Sequence, residues 1–319
     1  MQQRRLERPS TSHCLVVGGG TMGEGIAILL LRAGVRRLSL VEPRLEAHAA
    51  LRERIAQALA QLELPAPAQR LHLTGELSDL ALDDVDLVIE CIPEVLAQKQ
   101  ALFRELAACM PPDTLLTSNS SSFPISAIAA GLPGPGRMLG LHFFMPAHVV
   151  PLVEVVLGEH SDIVCAEDVM AFMRRCGSVP ILVRKDVPGF IANRLQHALA
   201  REAFSLIEQG IASVEDVDAA VRFGFGFRYL AAGPVMQKEH AGIDIHAAAA
   251  ATIYPSLCNA GAPAAVLADK AASGRLGMKS GEGFYTWDAA GIAHERARYA
   301  RVLADALKAI ADELPAVDP

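Results

Sequence analysis

Short apolar runs separated by longer amphipathic segments dominate the first half of the chain. His13–Val17 (HCLVV) is one such run, and it leads directly into Gly18-Gly19-Gly20-Thr21-Met22-Gly23. A helix-like apolar stretch follows at 26–31 and stops at Gly34; a second strand-like run at 38–41 ends on Glu42. The alternation continues with a helical pattern over about 45–62, a strand at 85–89, a helix at 95–109 and a strand at 114–117. Strands alternating with helices predict βαβ units and a mostly parallel sheet. At 138–157 the rhythm changes. Two strand-like runs, Met138–Phe143 and Leu152–Leu157, are separated only by a Pro-bounded loop.

After Asp186-Val187-Pro188-Gly189 the strand signals fade, leaving Ala-rich helical sequence punctuated by Gly and Pro at 224–234 and 273–283. The pattern therefore divides the chain near residue 186: an α/β domain over 1–186 and an all-α domain over 187–319. Within the second, 293–313 reads as a surface or packing helix rich in Ala, Arg and Leu.

Composition narrows the class. Of 319 residues, 51% are hydrophobic and 20% charged, which excludes a largely disordered chain. A net charge of −7 argues against a general nucleic-acid binder, while a local basic pocket stays open. No apolar run exceeds 26–31, far short of a membrane span, and the Arg-rich start at 1–9 has no apolar segment behind it, unlike a secretory signal. The six cysteines (14, 91, 109, 165, 176, 258) form no CxxC pair and no zinc-spaced cluster. They read as reduced, mostly buried thiols of a cytoplasmic protein, with no metal site.

The glycine turn carries the first chemistry. Gly18, Gly20 and Gly23 stand between a strand and a helix, in the G-x-G-x-x-G pattern of a Rossmann-type dinucleotide fold. The first glycine suits a tight turn, the second close approach of backbone to pyrophosphate, the third close helix–strand packing. The helix N-terminus supplies partial positive charge for the phosphates. Glu42, at the end of the next strand, can accept hydrogen bonds from the adenosine ribose hydroxyls and would repel a 2′-phosphate. That favours NAD over NADP, although Arg44 nearby leaves the point open.

Further motifs carry a family resemblance. Gly18 to Gly23 with Ile26-Ala27, Ser118-Asn119-Ser120-Ser121-Ser122, His142-Phe143-Phe144-Met145-Pro146 and Pro151-Leu152-Val153-Glu154-Val155 resemble the 3-hydroxyacyl-CoA dehydrogenase family. Gly189-Phe190-Ile191-Ala192-Asn193-Arg194, Gly233-Pro234 and GMKSGEGFY at 277–285 continue the match, in order, over roughly 13–288. The resemblance implies an NAD-binding Rossmann-type domain, a helical C-terminal domain for substrate and dimerisation, and a catalytic set of His142, Glu154, Ser121 and Asn193. It places Thr21, Met22, Glu94, Lys99 and Asn119 with the glycines and Glu42 at the cofactor. The chemistry agrees. Oxidising a secondary alcohol needs a base for the hydroxyl proton while hydride leaves carbon, and histidine titrates near neutrality. A carboxylate on the far ring nitrogen would fix the tautomer and stabilise the imidazolium. By resemblance His142 is the general base and Glu154 its partner, with Ser121 and Asn193 as donors to the substrate oxygen. Taken alone, a histidine at a strand end is more often a satisfied structural residue, and Asn193 reads also as a helix-start residue.

Some positions depart from the CoA-specific members. Met145 stands where the family usually has Asn, and it can neither donate nor accept strongly. The segment from Glu42 to Val85 is short; it holds Arg52, Arg54 and Arg70 but no Lys, with a Pro-Ala-Pro stop at 65–67. Glu90-Cys91-Ile92-Pro93-Glu94, and Gly226-Phe227-Arg228-Tyr229 ahead of Gly233-Pro234, look more like L-gulonate and L-carnitine dehydrogenases. Arg228 could bind a carboxylate bidentately, with Lys238 and His240 close in sequence, or it could serve as a helix-end or interface residue. The substrate-binding set is thus Ser121, Met145, Asn193 and Arg228. The leading expectation is NAD-dependent oxidation of an (S)-3-hydroxyacyl-CoA to the 3-oxo compound, within fatty acid metabolism. The alternatives are the same chemistry on a free hydroxy acid, and an NAD-binding crystallin-like protein without activity. A cytoplasmic homodimer with a small-molecule substrate, and neither nucleic acid nor membrane as partner, is expected. If Arg228 grips a carboxylate, Arg228→Ala raises KM for an anionic substrate by roughly 10-fold or more at little cost in stability. Initial rates over a substrate range check this, and an unchanged KM rejects it.

Overall fold

A computed structural model describes residues 6–64 and 69–319, so the Pro-Ala-Pro stop and the first five residues lie outside the described part. Eight strands form one sheet: β1 (His13–Val17), β2 (Arg37–Val41), β3 (Leu71–Thr74), β4 (Leu87–Glu90), β5 (Leu115–Ser118), β6 (Met138–Phe143), β7 (Leu152–Leu157) and β8 (Val179–Val183). Their order is β3-β2-β1-β4-β5-β6-β7-β8. Every neighbouring pair is parallel except β6 and β7. The chain first builds outward from β1 to β3, then returns to place β4 on the other side of β1. That reversal opens a crevice at the carboxyl ends of β1 and β4, the place where open α/β sheets bind ligands.

Helices α1 (Thr21–Arg32), α2 (His48–Gln61), α3 (Leu96–Cys109), α4 (Ile125–Ile128) and α5 (Ile163–Arg175) cover the sheet. β1 is buried at every position, as a central parallel strand must be when both faces are covered. α1 buries Gly23 and every residue from Gly25 to Leu31, because small residues early in the helix let its backbone approach the sheet. Each fully buried Leu or Ile here contributes about 1.5–3 kcal/mol relative to exposure. His13, though part of the apolar run, is buried with both ring nitrogens partnered, Nδ1 to Asp84 at 2.8 Å and Nε2 to Ser39 at 2.9 Å. The run read as 85–89 forms strand only from Leu87 and extends to Glu90, whose buried carboxylate is paired and so belongs inside.

The first compact unit continues past residue 186 to Asn193 and also takes in Asp312–Pro319. The tail is held there by an ion pair from Arg175 to Asp318 and by the Asp318 N–H on the Arg175 carbonyl. The last residues thus depart from the helical domain expected over 187–319.

The second unit, Arg194–Ala311, is helical. It holds α6 (Ala192–Glu208) from its third residue on, then α7 (Val214–Ala219), α8 (Gly226–Tyr229), α9 (Met236–Ala241), α10 (Ile243–Ile253), α11 (Ala265–Ala272) and α12 (Ala289–Ala309). Ser213 and Asp288 cap α7 and α12 through their side-chain oxygens, which is why α12 starts before the predicted 293. No residue of this unit is buried.

All six cysteines are free thiols, but only Cys14 and Cys176 are buried, and Cys109 is exposed where α3 ends. The expectation of mostly buried thiols is corrected accordingly. Among the described residues no group of His, Cys, Asp or Glu could hold a metal ion, and no helix is long and apolar enough to cross a membrane.

Two glycines are required by geometry. Gly18 has φ +107°, and a Cβ there would meet the Cys91 carbonyl oxygen at 2.7 Å; a Cβ on Gly23 would lie 1.8 Å from the Gly18 carbonyl oxygen. Gly23→Ala is therefore expected to lower stability by about 1–3 kcal/mol through overpacking, read as a lower urea midpoint.

Candidate active site

The glycine turn sits at the carboxyl end of β1, with the Gly18 N–H bonded to the Val41 carbonyl at 2.8 Å. Gly20 precedes α1 without any side-chain cap, and nothing lies within 4 Å of where its Cβ would be. The first N–H groups of a twelve-residue helix thus face an open approach, which suits a pyrophosphate. Thr21 is exposed there, while Met22 is half-buried against the core. Glu42 is buried, and its Oε2 accepts the Gly19 N–H at 3.1 Å. Arg44 donates Nε to Oε1 at 2.7 Å and Nη2 to Oε2 at 3.1 Å. The Arg44 hydrogen bond, helped by the Gly19 N–H, holds the Glu42 carboxyl below the ordinary range despite partial burial. The carboxylate is ionised and held in place, and Arg44 is engaged by it rather than free for a 2′-phosphate. These residues fit an NAD cofactor.

At the ends of β4 and β5 lies a second charged cluster. Lys99 is buried; its Nζ donates to Glu90 Oε1 at 2.6 Å and to the Ile92 carbonyl at 3.2 Å, and pairs with Glu94 Oε2 at 3.2 Å. All three N–H groups of Lys99 therefore have acceptors. Expected among the cofactor residues, Lys99 is buried and holds Glu90 and Glu94. Burial would raise the Glu94 carboxyl, but hydrogen bonds from Ser120 and Ser122, with Lys99 beside it, bring it down to about 2. Ser121 is exposed, and its hydroxyl has no hydrogen-bond partner among the described residues. Asn119 is half-buried, with Oδ1 accepting the Phe143 N–H at 2.9 Å.

His142 and Glu154 are direct partners in the antiparallel register of β6 and β7. Period-two alternation puts them on one face, and their side chains meet, His142 Nδ1 to Glu154 Oε2 at 2.8 Å. Both are buried. Phe144 and Phe190 set ring edges against the imidazole, with centroids at 4.6 Å and 5.6 Å. Phe190 is buried at φ +50°, a left-handed backbone that places its ring there. The other oxygen of Glu154 accepts the N–H groups of Ile191 and Ala192 at 3.0 Å and 2.9 Å. One carboxylate thus serves the imidazole and the start of α6, whose first turn carries half-buried Asn193. Burial would raise the Glu154 pKa, but the imidazole and the two helix N–H groups outweigh it and hold the carboxyl below the ordinary range. With Nδ1 so occupied, Nε2 is the nitrogen left to take a proton from a bound hydroxyl.

Met145 is 65% exposed after β6. Arg228 lies exposed in α8 of the second unit, with Lys238 and His240 in α9, and none of the three has a side-chain partner among the described residues. The sequence reading missed the parts played by Glu90 and Phe190. The signal for Glu90 was present: an acid ends the apolar run LVIE much as Glu42 follows LSLV.

A Rossmann-type sheet with a glycine turn after its first strand, an acid after its second and a buried imidazole–carboxylate pair defines an NAD-dependent oxidoreductase. Residues 13–187 match the family model of the 3-hydroxyacyl-CoA dehydrogenase NAD binding domain, and residues 189–287 that of its C-terminal domain. The chain is 32% identical over 277 residues to 5-formyl-3-hydroxy-2-methylpyridine 4-carboxylate 5-dehydrogenase of Mesorhizobium japonicum, covering 85% of this chain and 89% of that one. A solved structure of such an enzyme, described as an NAD+ dependent dismutase, superposes with a TM-score of 0.85 at 31% identity over 91% of this chain and 96% of that one. (S)-3-hydroxybutyryl-CoA dehydrogenase of Ralstonia eutropha gives a TM-score of 0.70 at 27% identity, over 87% and 99%. L-carnitine dehydrogenase of Nocardiopsis dassonvillei is 35% identical over 231 residues, 71% of this chain and 70% of that one. The chain belongs to the 3-hydroxyacyl-CoA dehydrogenase family and is an NAD-dependent dehydrogenase.

Because Glu154 is more acidic folded than unfolded, its contribution is complete above the unfolded value of about 4.5 and is lost as pH falls through the lower folded value. Wild-type stability is expected to fall with pH in that window, and Glu154→Gln to remove that part of the slope. Urea midpoints measured across the acid range check both.

Proposed function

We propose that the chain interconverts a hydroxyl and a carbonyl on a small carboxylate-bearing substrate, with His142 as general base. The observation that carries this substrate class is the superposition on the pyridine-carboxylate dehydrogenase, at 0.85 against 0.70 for the hydroxybutyryl-CoA enzyme. Met145 in place of a polar residue and the lysine-free segment after Glu42 support it. This reading reverses the order expected from sequence, which put the CoA ester first. A 3-hydroxyacyl-CoA remains the second reading, because both family models span the chain from 13 to 287.

When bound, NAD accepts hydride at its nicotinamide. In the oxidative direction His142 Nε2 takes the hydroxyl proton while hydride leaves the carbon. Glu154 holds the tautomer through Nδ1 and stabilises the cation that forms, without itself taking the proton. Phe144 and Phe190 keep water from the ring faces. Ser121 and Asn193 donate to the substrate oxygen, stabilising the charge that develops there in reduction. Glu42 holds the adenosine ribose and the α1 N-terminus the pyrophosphate, with Glu94 and Asn119 lining the cofactor's approach.

The partner in this reading is a second copy of the chain. The helical unit buries no residue of its own, and α10, apolar but for Asp244, His246 and Thr252, is mostly exposed. A groove of about 470 Å³ lined by Leu199, Phe204, Val217 and Phe284 is open beside α6. A largely apolar helix gains stability by being covered, and a unit without a core needs a large apolar interface to supply one. The cytoplasm suits its free thiols.

Absorbance of the reduced nicotinamide, followed with free 3-oxo and hydroxy acids, aromatic aldehyde acids and acetoacetyl-CoA, tests the substrate class. Turnover of the free acids with little of the CoA ester is expected, and the reverse order rejects the proposal. His142→Gln should lower kcat by roughly 10²–10⁴-fold while NADH still binds, as fluorescence titration will show.

A further inference from the structure

We infer that Glu90 is a positioning residue for the reaction: with Lys99 it locks the serine run 118–122 so that Ser121 alone presents a free hydroxyl. The inference rests on the reading of Ser121 as a donor to the substrate oxygen and extends it to a residue that touches neither substrate nor cofactor.

Glu90 ends β4 with its side chain wholly buried, and both oxygens are committed. Oε1 accepts Lys99 Nζ at 2.6 Å and the Ile92 N–H at 2.8 Å; Oε2 accepts the Ser118 hydroxyl at 2.5 Å. The Ser118 oxygen then accepts the Ser120 N–H at 3.1 Å. Lys99 carries the network on to Glu94. Glu94 Oε1 accepts the Ser120 hydroxyl, the Ser122 hydroxyl at 2.6 Å and the Ser122 N–H at 3.2 Å. The hydroxyls of Ser118, Ser120 and Ser122 are thereby all committed to two carboxylates joined by one ammonium. Only Ser121, between them, is exposed and without a partner among the described residues. Asn119, in the same run, is bonded to the Phe143 N–H beside His142, so the placement of Ser121 is referred to the strand that carries the base.

Charge makes this arrangement stiff. A buried ammonium needs its counter-charge, and the Glu94 side chain, 36% exposed, is the weaker partner. With Glu90 neutral, Lys99 has only Glu94 to neutralise it. Glu94 is then drawn inward, and the Ser120 and Ser122 hydroxyls follow or lose their acceptor. A core that merely needed filling would not care about that charge.

A double-mutant cycle of Glu90→Gln with Ser121→Ala separates positioning from general stability. The substrate is the most active compound of the panel above. Each single variant should lose roughly 100-fold in kcat/KM, the cost of one donor to the reacting oxygen. The double variant should be no worse than either, because a mispositioned serine has nothing left to lose. NADH affinity by fluorescence titration should stay within about threefold of wild type in Ser121→Ala, which leaves the Glu90–Lys99–Glu94 network in place. Losses that multiply in the double variant overturn the inference while leaving the role of Ser121 intact. A Ser121→Ala enzyme of wild-type rate overturns both together. Should Glu90→Gln fail to fold, Glu90→Leu with Lys99→Met removes both charges and takes its place in the same cycle.

Discussion

A carboxylate can be buried only if its oxygens find partners, and Glu154 is where this constraint organises the molecule. One oxygen takes the imidazole of His142, the other takes two N–H groups at the start of α6. That single group ties β6, β7 and the Ile191–Ala192 backbone to one point. The antiparallel register between β6 and β7 puts His142 and Glu154 opposite each other, and the left-handed turn at Gly189-Phe190 brings the helix start within reach.

The same rule repeats along the carboxyl edge of the sheet. Glu42 follows β2 and is met by Gly19 and Arg44; Glu90 ends β4 and is met by Lys99, Ile92 and Ser118. Each acid stands next to a loop that must hold one conformation: the glycine turn, the serine run and the start of α6. Buried charge paired in this way contributes little net stability. Its effect is to choose one loop geometry among several of similar packing energy, which is what a reaction needing donors and base in fixed positions requires.

Much of this was legible along the chain. The βαβ rhythm, the change to an antiparallel pair at 138–157 and the helical second half follow from hydrophobic period. Gly18, Gly20 and Gly23 follow from backbone sterics. Family resemblance drew attention to His142 and Glu154, and their register brings them together. Family resemblance singled out Lys99, but its pairing with Glu90 and Glu94 was not legible, because a lysine's acceptors are set by the fold. The tail at 312–319 was misplaced because the Arg175–Asp318 pair joins positions far apart in sequence. The helical unit's lack of a core could not be read at all, since its Ala-rich helices have the pattern of ordinary packed ones.

What the sequence determined by itself was local: period sets strand or helix, and missing Cβ atoms permit the nucleotide turn, while it was family resemblance that pointed to proton and hydride transfer. Tertiary structure decided which groups share a proton or a charge. Glu154 faces His142 rather than solvent, Arg44 closes on Glu42, and Glu90 takes Lys99 inside. These pairings depend on distances across the sheet that no run of neighbouring residues encodes, and burial, by removing water as the competing partner, makes them binding.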